Sequence, residues 1–203
     1  MPPKSSYHHG NLKPALITAA LRELAQNGLE GFSLRGVARR AGVSAPAVYR
    51  HFEDKDALLG AVAAECADRV ARSMIEAIEN APPDPLEGFR AVGVALVRFA
   101  VAHPEHYRAL SLPGMAERAT PEQRAREQQW HAEQMAGLAE AQRHGLIADV
   151  PLEDLMLTAS VAIDGLANAI IAGKLGKVDD RRAVELATAV TAVLGYGFAP
   201  RPA

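Results

Sequence analysis

A single cysteine, Cys66, in 203 residues excludes an internal disulfide and a cysteine-rich metal site. Aromatic residues make up only 5% of the chain, and Trp130 is its one tryptophan. Strict apolar/polar alternation is missing, and Gly and Pro fall mostly at the ends of helical patterns, so no strand is expected. No Gly-rich phosphate loop, nucleophile elbow or His-Glu metal helix occurs, which argues against an enzyme, and no cofactor is implied. Met1 to Asn11 is polar and carries no signal segment, and no apolar run approaches membrane-spanning length. The expectation is a soluble cytoplasmic protein without membrane contact.

What the chain does have is a 49% hydrophobic composition, enough for one or two domains with a sizeable core, and an uneven charge. Residues 1–60 hold eight Lys/Arg against five Asp/Glu, whereas the remainder holds 14 against 19. A basic head on an acidic body fits a phosphate-binding module attached to a domain with another task.

The head is organised around Ser33 to Leu59, SLRGVARRAGVSAPAVYRHFEDKDALL. Ser33 suits the N-cap of a helix carrying Leu34, Val37, Ala38 and Ala41 on one face, and Gly42 suits the left-handed position that ends it. Ser44 can cap a second helix with Pro46 in its first turn. Val48 and Phe52 then fall on its inner face, leaving Ala45, Ala47, Tyr49, Arg50 and His51 nearer the outside. Two helices across a Gly-containing turn fit a helix-turn-helix. Arg35, Arg39, Arg40, Arg50 and Lys55 supply cations, and Ser33, Tyr49 and His51 neutral donors, for a DNA backbone. Lys55 in a first helical turn opposes the helix dipole, which a bound phosphate would explain. Ala45, Pro46 and Ala47 at the start of the second helix can touch a thymine methyl but cannot make a bidentate hydrogen bond. Hydrogen-bonded readout is then left to Arg50, Ser44 or the N-terminal arm, or to DNA shape.

The A-G-V-S turn, the Y-x-H-F helix end and the acidic-Lys-acidic start of the next helix together resemble the DNA-binding domain of TetR/AcrR-type transcriptional regulators, over about residues 8 to 70. The helical patterns along the chain number about nine, and the resemblance implies an all-α fold. It has an N-terminal three-helix DNA-binding domain with the helix-turn-helix and a C-terminal helical domain for ligand binding and dimerisation. It also implies that Tyr49, His51 and Lys55 grip phosphates, and that a double-stranded operator is bound by a homodimer.

In chain order, residues 1–10 form an N-terminal arm in which Lys4, His8 and His9 could follow DNA, or simply a loose terminus. Residues 11–59 form the DNA-binding domain, with Asn11 capping a first helix that ends at Gly28. Residues 60–80 are a linking helix, and 81–203 the effector-binding and dimerisation domain, set off by Ala81-Pro-Pro-Asp-Pro85. Asp84 caps the helix that follows. From Pro151 to Lys174 the chain is apolar nearly all round, with small residues three or four apart. Such a helix needs burial on several sides, which the last two helices meeting their symmetry mates would provide. Burial within one subunit is the alternative.

A small apolar effector would sit among helices four to eight, as the family implies. Candidate contacts are Cys66, Met74, Phe89, Val92, Leu96, Phe99, Tyr107, Met115, Trp130, Met135, Asp164 and Asn168. For the apolar ones core packing is the simpler role, whereas Asp164 and Asn168 need polar partners on an apolar helix. His103 and His106 are too few for a metal, and His103 suits a helix cap. The expectation is a ligand-released repressor that binds a palindromic operator. The alternatives are an activator or effector-independent regulator of the same fold, or a helical small-molecule-binding protein or enzyme.

Overall fold

The computed structural model describes residues 12–198, so the N-terminal arm and the Asn11 cap lie outside the described residues. Among those described there are nine α-helices and no strand. They are α1 (Leu12–Gly31), α2 (Leu34–Ala41), α3 (Ala45–Tyr49), α4 (Lys55–Glu79), α5 (Pro85–Ala102), α6 (Pro104–Leu110), α7 (Pro121–Arg143), α8 (Leu152–Ile171) and α9 (Asp180–Phe198), with a 3-10 turn at Ala116–Arg118 before α7. The all-α architecture expected from the sequence is the one observed.

Contacts divide the chain into two compact units, residues 1–67 with 108–120, and residues 68–107 with 121–203. The expected boundaries followed composition and assigned all of 81–203 to the body. By contact, residues 108–120 belong instead with the first unit, because Ala109 and Met115 are buried in its core beside Leu59 and Cys66.

In the first unit, α1 buries Leu16, Ala20, Leu21 and Leu24 along one face. Gly28 breaks the helix with φ of 64°, as expected, and one further turn follows. Ser33 caps α2, its hydroxyl accepting from the Gly36 N–H at 3.0 Å. At the other end Gly42 takes φ of 68°, and the paired bonds Val43 N–H to Ala38 carbonyl and Gly42 N–H to Arg39 carbonyl close a Schellman turn. Asp54 caps α4 by accepting from the Ala57 N–H.

In the second unit, α5 packs against both α8 and α9. Asp84 caps α5 through the Leu86 and Glu87 N–H groups, and Asp179 caps α9 through that of Arg182. α8 buries Leu155, Ala159, Ile163, Ala167 and Ile170, one face only. Its other face is open in the single chain, with Leu157 and Val161 each 63% exposed and Val193 of α9 69% exposed. Burial within one subunit therefore does not account for the apolar circumference of α8. By length and composition α8 is also long and apolar enough to cross a membrane, which corrects the expectation that no run approaches that length. The polar Asp164 stands near its middle and Asn168 in its last turn.

Tyr107 joins α6 to α8, its hydroxyl donating to Asp164 Oδ1 at 2.5 Å. Burial first, then this bond and the Asp164 charge, hold the phenol above its ordinary pKa of 10.0. A pKa raised on folding gives a contribution to stability that is intact below the unfolded value and is lost as pH rises beyond it. Tyr107→Phe is accordingly expected to flatten the decline of stability above about pH 10, measured by urea denaturation across a pH series. An unchanged alkaline slope would show that the phenol does not set it.

Candidate nucleic-acid interface and ligand cavity

α3 is the short second helix of the helix-turn-helix. Ser44 occupies its N-cap position in extended backbone, but the side chain makes no capping bond; the Ser44 carbonyl instead accepts from Ala47 N–H at 2.9 Å. The exposed Ser44 hydroxyl is thereby left for another partner. Phe52 N–H bonds back to the Val48 carbonyl at 3.0 Å, which holds the Tyr49-Arg50-His51 turn against the head while Val48 and Phe52 stay buried. Tyr49, 54% exposed, stands out from the surface, and the exposed Arg50 and His51 follow it directly in sequence. Arg35, Arg39, Ser33 and Pro46 are exposed as well.

Three sequence expectations change here. Ala47 is buried rather than outward, because α3 ends at Tyr49 and its apolar stripe is wide enough to include the residue beside Val48. Ala45 is partly buried and packs on the same core, so only Pro46 of the apolar trio lies fully at the surface. Lys55 has an internal partner: its Nζ donates to the Leu29 carbonyl at 2.8 Å and stands 5.7 Å from the Phe32 ring centre. The carbonyl end of α1 supplies the negative partner that the first turn of α4 does not, so the dipole argument no longer requires a phosphate.

Arg40, one of the expected outer cations, is also engaged internally. Its Nε donates to Glu23 Oε2 at 2.5 Å, and its Nη2 donates to Gln26 Oε1. Glu23 is almost fully buried, a placement the sequence reading missed. It lies against Gly36, where a Cβ would come within 1.9 Å of Oε1, so the α1–α2 crossing depends on that glycine. The signal was available: Glu23 occupies the apolar register of α1, seven residues after Leu16.

The second unit contains a cavity of about 540 Å³, within the range of small-molecule sites. Met74, Phe89, Val92, Leu96 and Trp130, all expected ligand contacts, line it. So do Leu138, Leu155 and Ile163, which the sequence alone did not single out. The other expected contacts lie elsewhere. Cys66 and Met115 are buried in the first unit, where the apolar spacing that suggested them serves core packing. Phe99 and Tyr107 form a separate cluster with Ala167. Met135 is not on the cavity wall. Asp164 and Asn168 lie on the exposed face of α8, with Asn168 Nδ2 donating to the Asp164 carbonyl at 2.8 Å. Their polar partners are therefore Tyr107 and the backbone rather than a ligand. Among the described residues no three His, Cys, Asp or Glu side chains converge as a metal site. The His103 ring instead packs on Phe99 at 5.1 Å and on His106 at 5.5 Å.

Comparison with known proteins matches both units. Residues 16–62 match the family described as "Bacterial regulatory proteins, tetR family", and residues 89–194 match "Tetracyclin repressor-like, C-terminal domain". The HTH-type transcriptional repressor AcnR of Corynebacterium efficiens is 30% identical over 175 residues, covering 80% of this chain and 84% of that protein. The HTH-type transcriptional repressor SCO4008 of Streptomyces coelicolor is 28% identical over 149 residues, 71% of this chain and 72% of that protein. Among solved structures, a TetR family transcription regulator from Marinobacter aquaeolei VT8 superposes with a TM-score of 0.76 at 25% identity, covering 94% of this chain and 97% of that chain. The chain belongs to the TetR family and is a DNA-binding transcriptional regulator.

Proposed function

We propose that the protein is a ligand-released repressor that binds a palindromic operator as a homodimer. The observation that carries this reading is the set of exposed residues Tyr49, Arg50, His51, Arg35, Arg39 and Ser44 on the helix-turn-helix, in a chain that also contains an apolar cavity. The two curated relatives are repressors by name, which favours repression over activation. On this reading residues 11–59 act in DNA binding and 60–80 as the connector, and effector binding and dimerisation lie within 81–203, apart from residues 108–120, which pack with the first unit. No catalytic step is assigned, and the site of action is the cytoplasm, where operator DNA is found.

The exposed face of α8 with Val193 and Ala189 of α9 is the self-association surface. Small side chains such as Gly165 let helices approach closely, and a two-fold axis pairs each residue with its own kind. Two heads so joined meet half-sites about 34–36 Å apart, or a multiple of that. A small apolar molecule in the cavity releases DNA if it binds better to a state whose heads are differently spaced.

The test is fluorescence-anisotropy binding to DNA selected from a random pool, over a series of salt concentrations. Binding is expected to weaken steeply with salt, Tyr49→Ala to reduce affinity for every sequence, and Arg50→Ala to lower the salt slope by about one. Failure to select any DNA at low salt would reject the assignment of these residues to the interface.

A further inference from the structure

One charged pair interrupts the apolar wall of the cavity. On α5, Glu87 and Arg90 alternate with Phe89, Val92 and Leu96, and Arg90 Nη1 donates to Glu87 Oε1 at 2.7 Å. That bond uses one of five guanidinium N–H groups; Nε and Nη2 have no partner among the described residues. A second recess, of about 310 Å³, shares Glu87, Arg90 and Thr191 with the main cavity and adds Arg98, Asn80 and Thr188. Arg90 thus stands where an apolar space meets a polar one.

Resting on the reading of this cavity as an effector site, we propose that the effector is an apolar molecule bearing one carboxylate. Its body fills the main cavity and its carboxylate takes the free edge of Arg90 from the side of the recess. A planar guanidinium with two unspent donor groups matches a carboxylate in the bidentate geometry that an ammonium or hydroxyl cannot use. The acids nearby do not favour a cationic ligand equally. Asp84 already accepts from the Leu86 and Glu87 N–H groups, so the start of α5 offsets its charge. Glu87 is offset by Arg90 itself and is the one acid lining the recess, against Arg90 and Arg98. Arg98 is held by both Asp180 oxygens, at 2.7 and 3.0 Å, so that pair brings neither net charge nor a free fork to the recess and Arg90 is the cation left to meet an anion. In the absence of ligand Glu87 serves as a stand-in carboxylate that keeps Arg90 at the wall.

Trp130, the sole tryptophan, lines the cavity and reports its occupancy. The experiment titrates the full-length protein at pH 7.5 with decanoate, decanol and decylammonium, each below its micellar concentration, and follows Trp130 fluorescence. Decanoate is expected to bind about tenfold or more tighter than decanol. Arg90→Gln should abolish that preference by weakening decanoate far more than decanol, and Glu87→Gln should tighten decanoate further. Equal affinities for decanoate and decanol in the unaltered protein, or tightest binding of decylammonium, would overturn the carboxylate inference and leave the cavity reading intact. A fluorescence signal that no probe changes would overturn both.

Discussion

Leu157→Glu combined with Val161→Glu is expected to convert the protein to a monomer and to weaken operator binding by about 10²–10⁴-fold. The reasoning starts from exposure. Both residues stand 63% exposed on the open face of α8, one helical turn apart, and neither is part of the buried stripe from Leu155 to Ile170. Replacing them therefore removes no internal packing, and the single chain should keep its helix content. At a two-fold interface each substitution occurs twice, so the change places like charges opposite one another in a desolvated seam. The loss of affinity follows from joined heads: once one half-site is bound, the second event is intramolecular, and a monomer forfeits that effective concentration. Sedimentation velocity gives the mass, and anisotropy on the full palindrome and on a half-site gives the affinities. The half-site should bind the variant and the parent chain alike. A variant that remains dimeric, or a monomer that keeps palindrome affinity, would move the interface away from α8.

The head was legible in the sequence because its devices are local. Ser33 and Gly42 were identifiable as cap and stop from residue type and spacing, as was Asp84 in the second unit, and each has the bonding or backbone angle expected of it, whereas Ser44 holds the N-cap position without the bond. Where a residue's role depends on a second element, periodicity was a poor guide. Lys55 was read from the dipole of its own helix, but its partner is a carbonyl of α1 some 26 residues earlier in the chain. Ala47 was read as outward because α3 was taken to continue to Phe52, whereas the helix ends at Tyr49. The cavity wall follows the same rule. Residues that recur on the inner face of α5, such as Phe89, Val92 and Leu96, were found by spacing. Cys66 and Met115 share the same apolar character but fill the core of the first unit, and no local pattern separates a cavity lining from a packed core. Asp164 shows the reverse case: a polar group on an apolar helix does need a partner, but that partner is Tyr107, 57 residues away.

Arg40→Ala is expected to lower the stability of the head by about 3 kcal/mol, measured as lost hydrogen-exchange protection of α1 and α2 amides. Its neighbour Arg39→Ala should change that stability by no more than about 0.5 kcal/mol, because Arg39 is exposed and makes no side-chain bond among the described residues. The contrast arises from Glu23. Its carboxylate is 2% exposed and lies against Gly36, so it cannot turn out to water without disturbing the α1–α2 crossing. Removing Arg40 leaves that charge buried without its cation, which is the costly way to break such a pair. The estimate is set at the low end because the Arg40 side chain is itself 26% exposed. Adding Glu23→Gln to Arg40→Ala should recover most of the loss, since a neutral amide in the same space needs no counter-ion. On DNA the order of the two arginines reverses. Arg39→Ala should reduce the salt slope by about one, whereas Arg40, whose Nε and Nη2 are already used by Glu23 and Gln26, should change it less. If Arg40→Ala instead left exchange protection intact and flattened the salt slope by a full unit, Arg40 would be a phosphate contact and the buried pair would not brace the head.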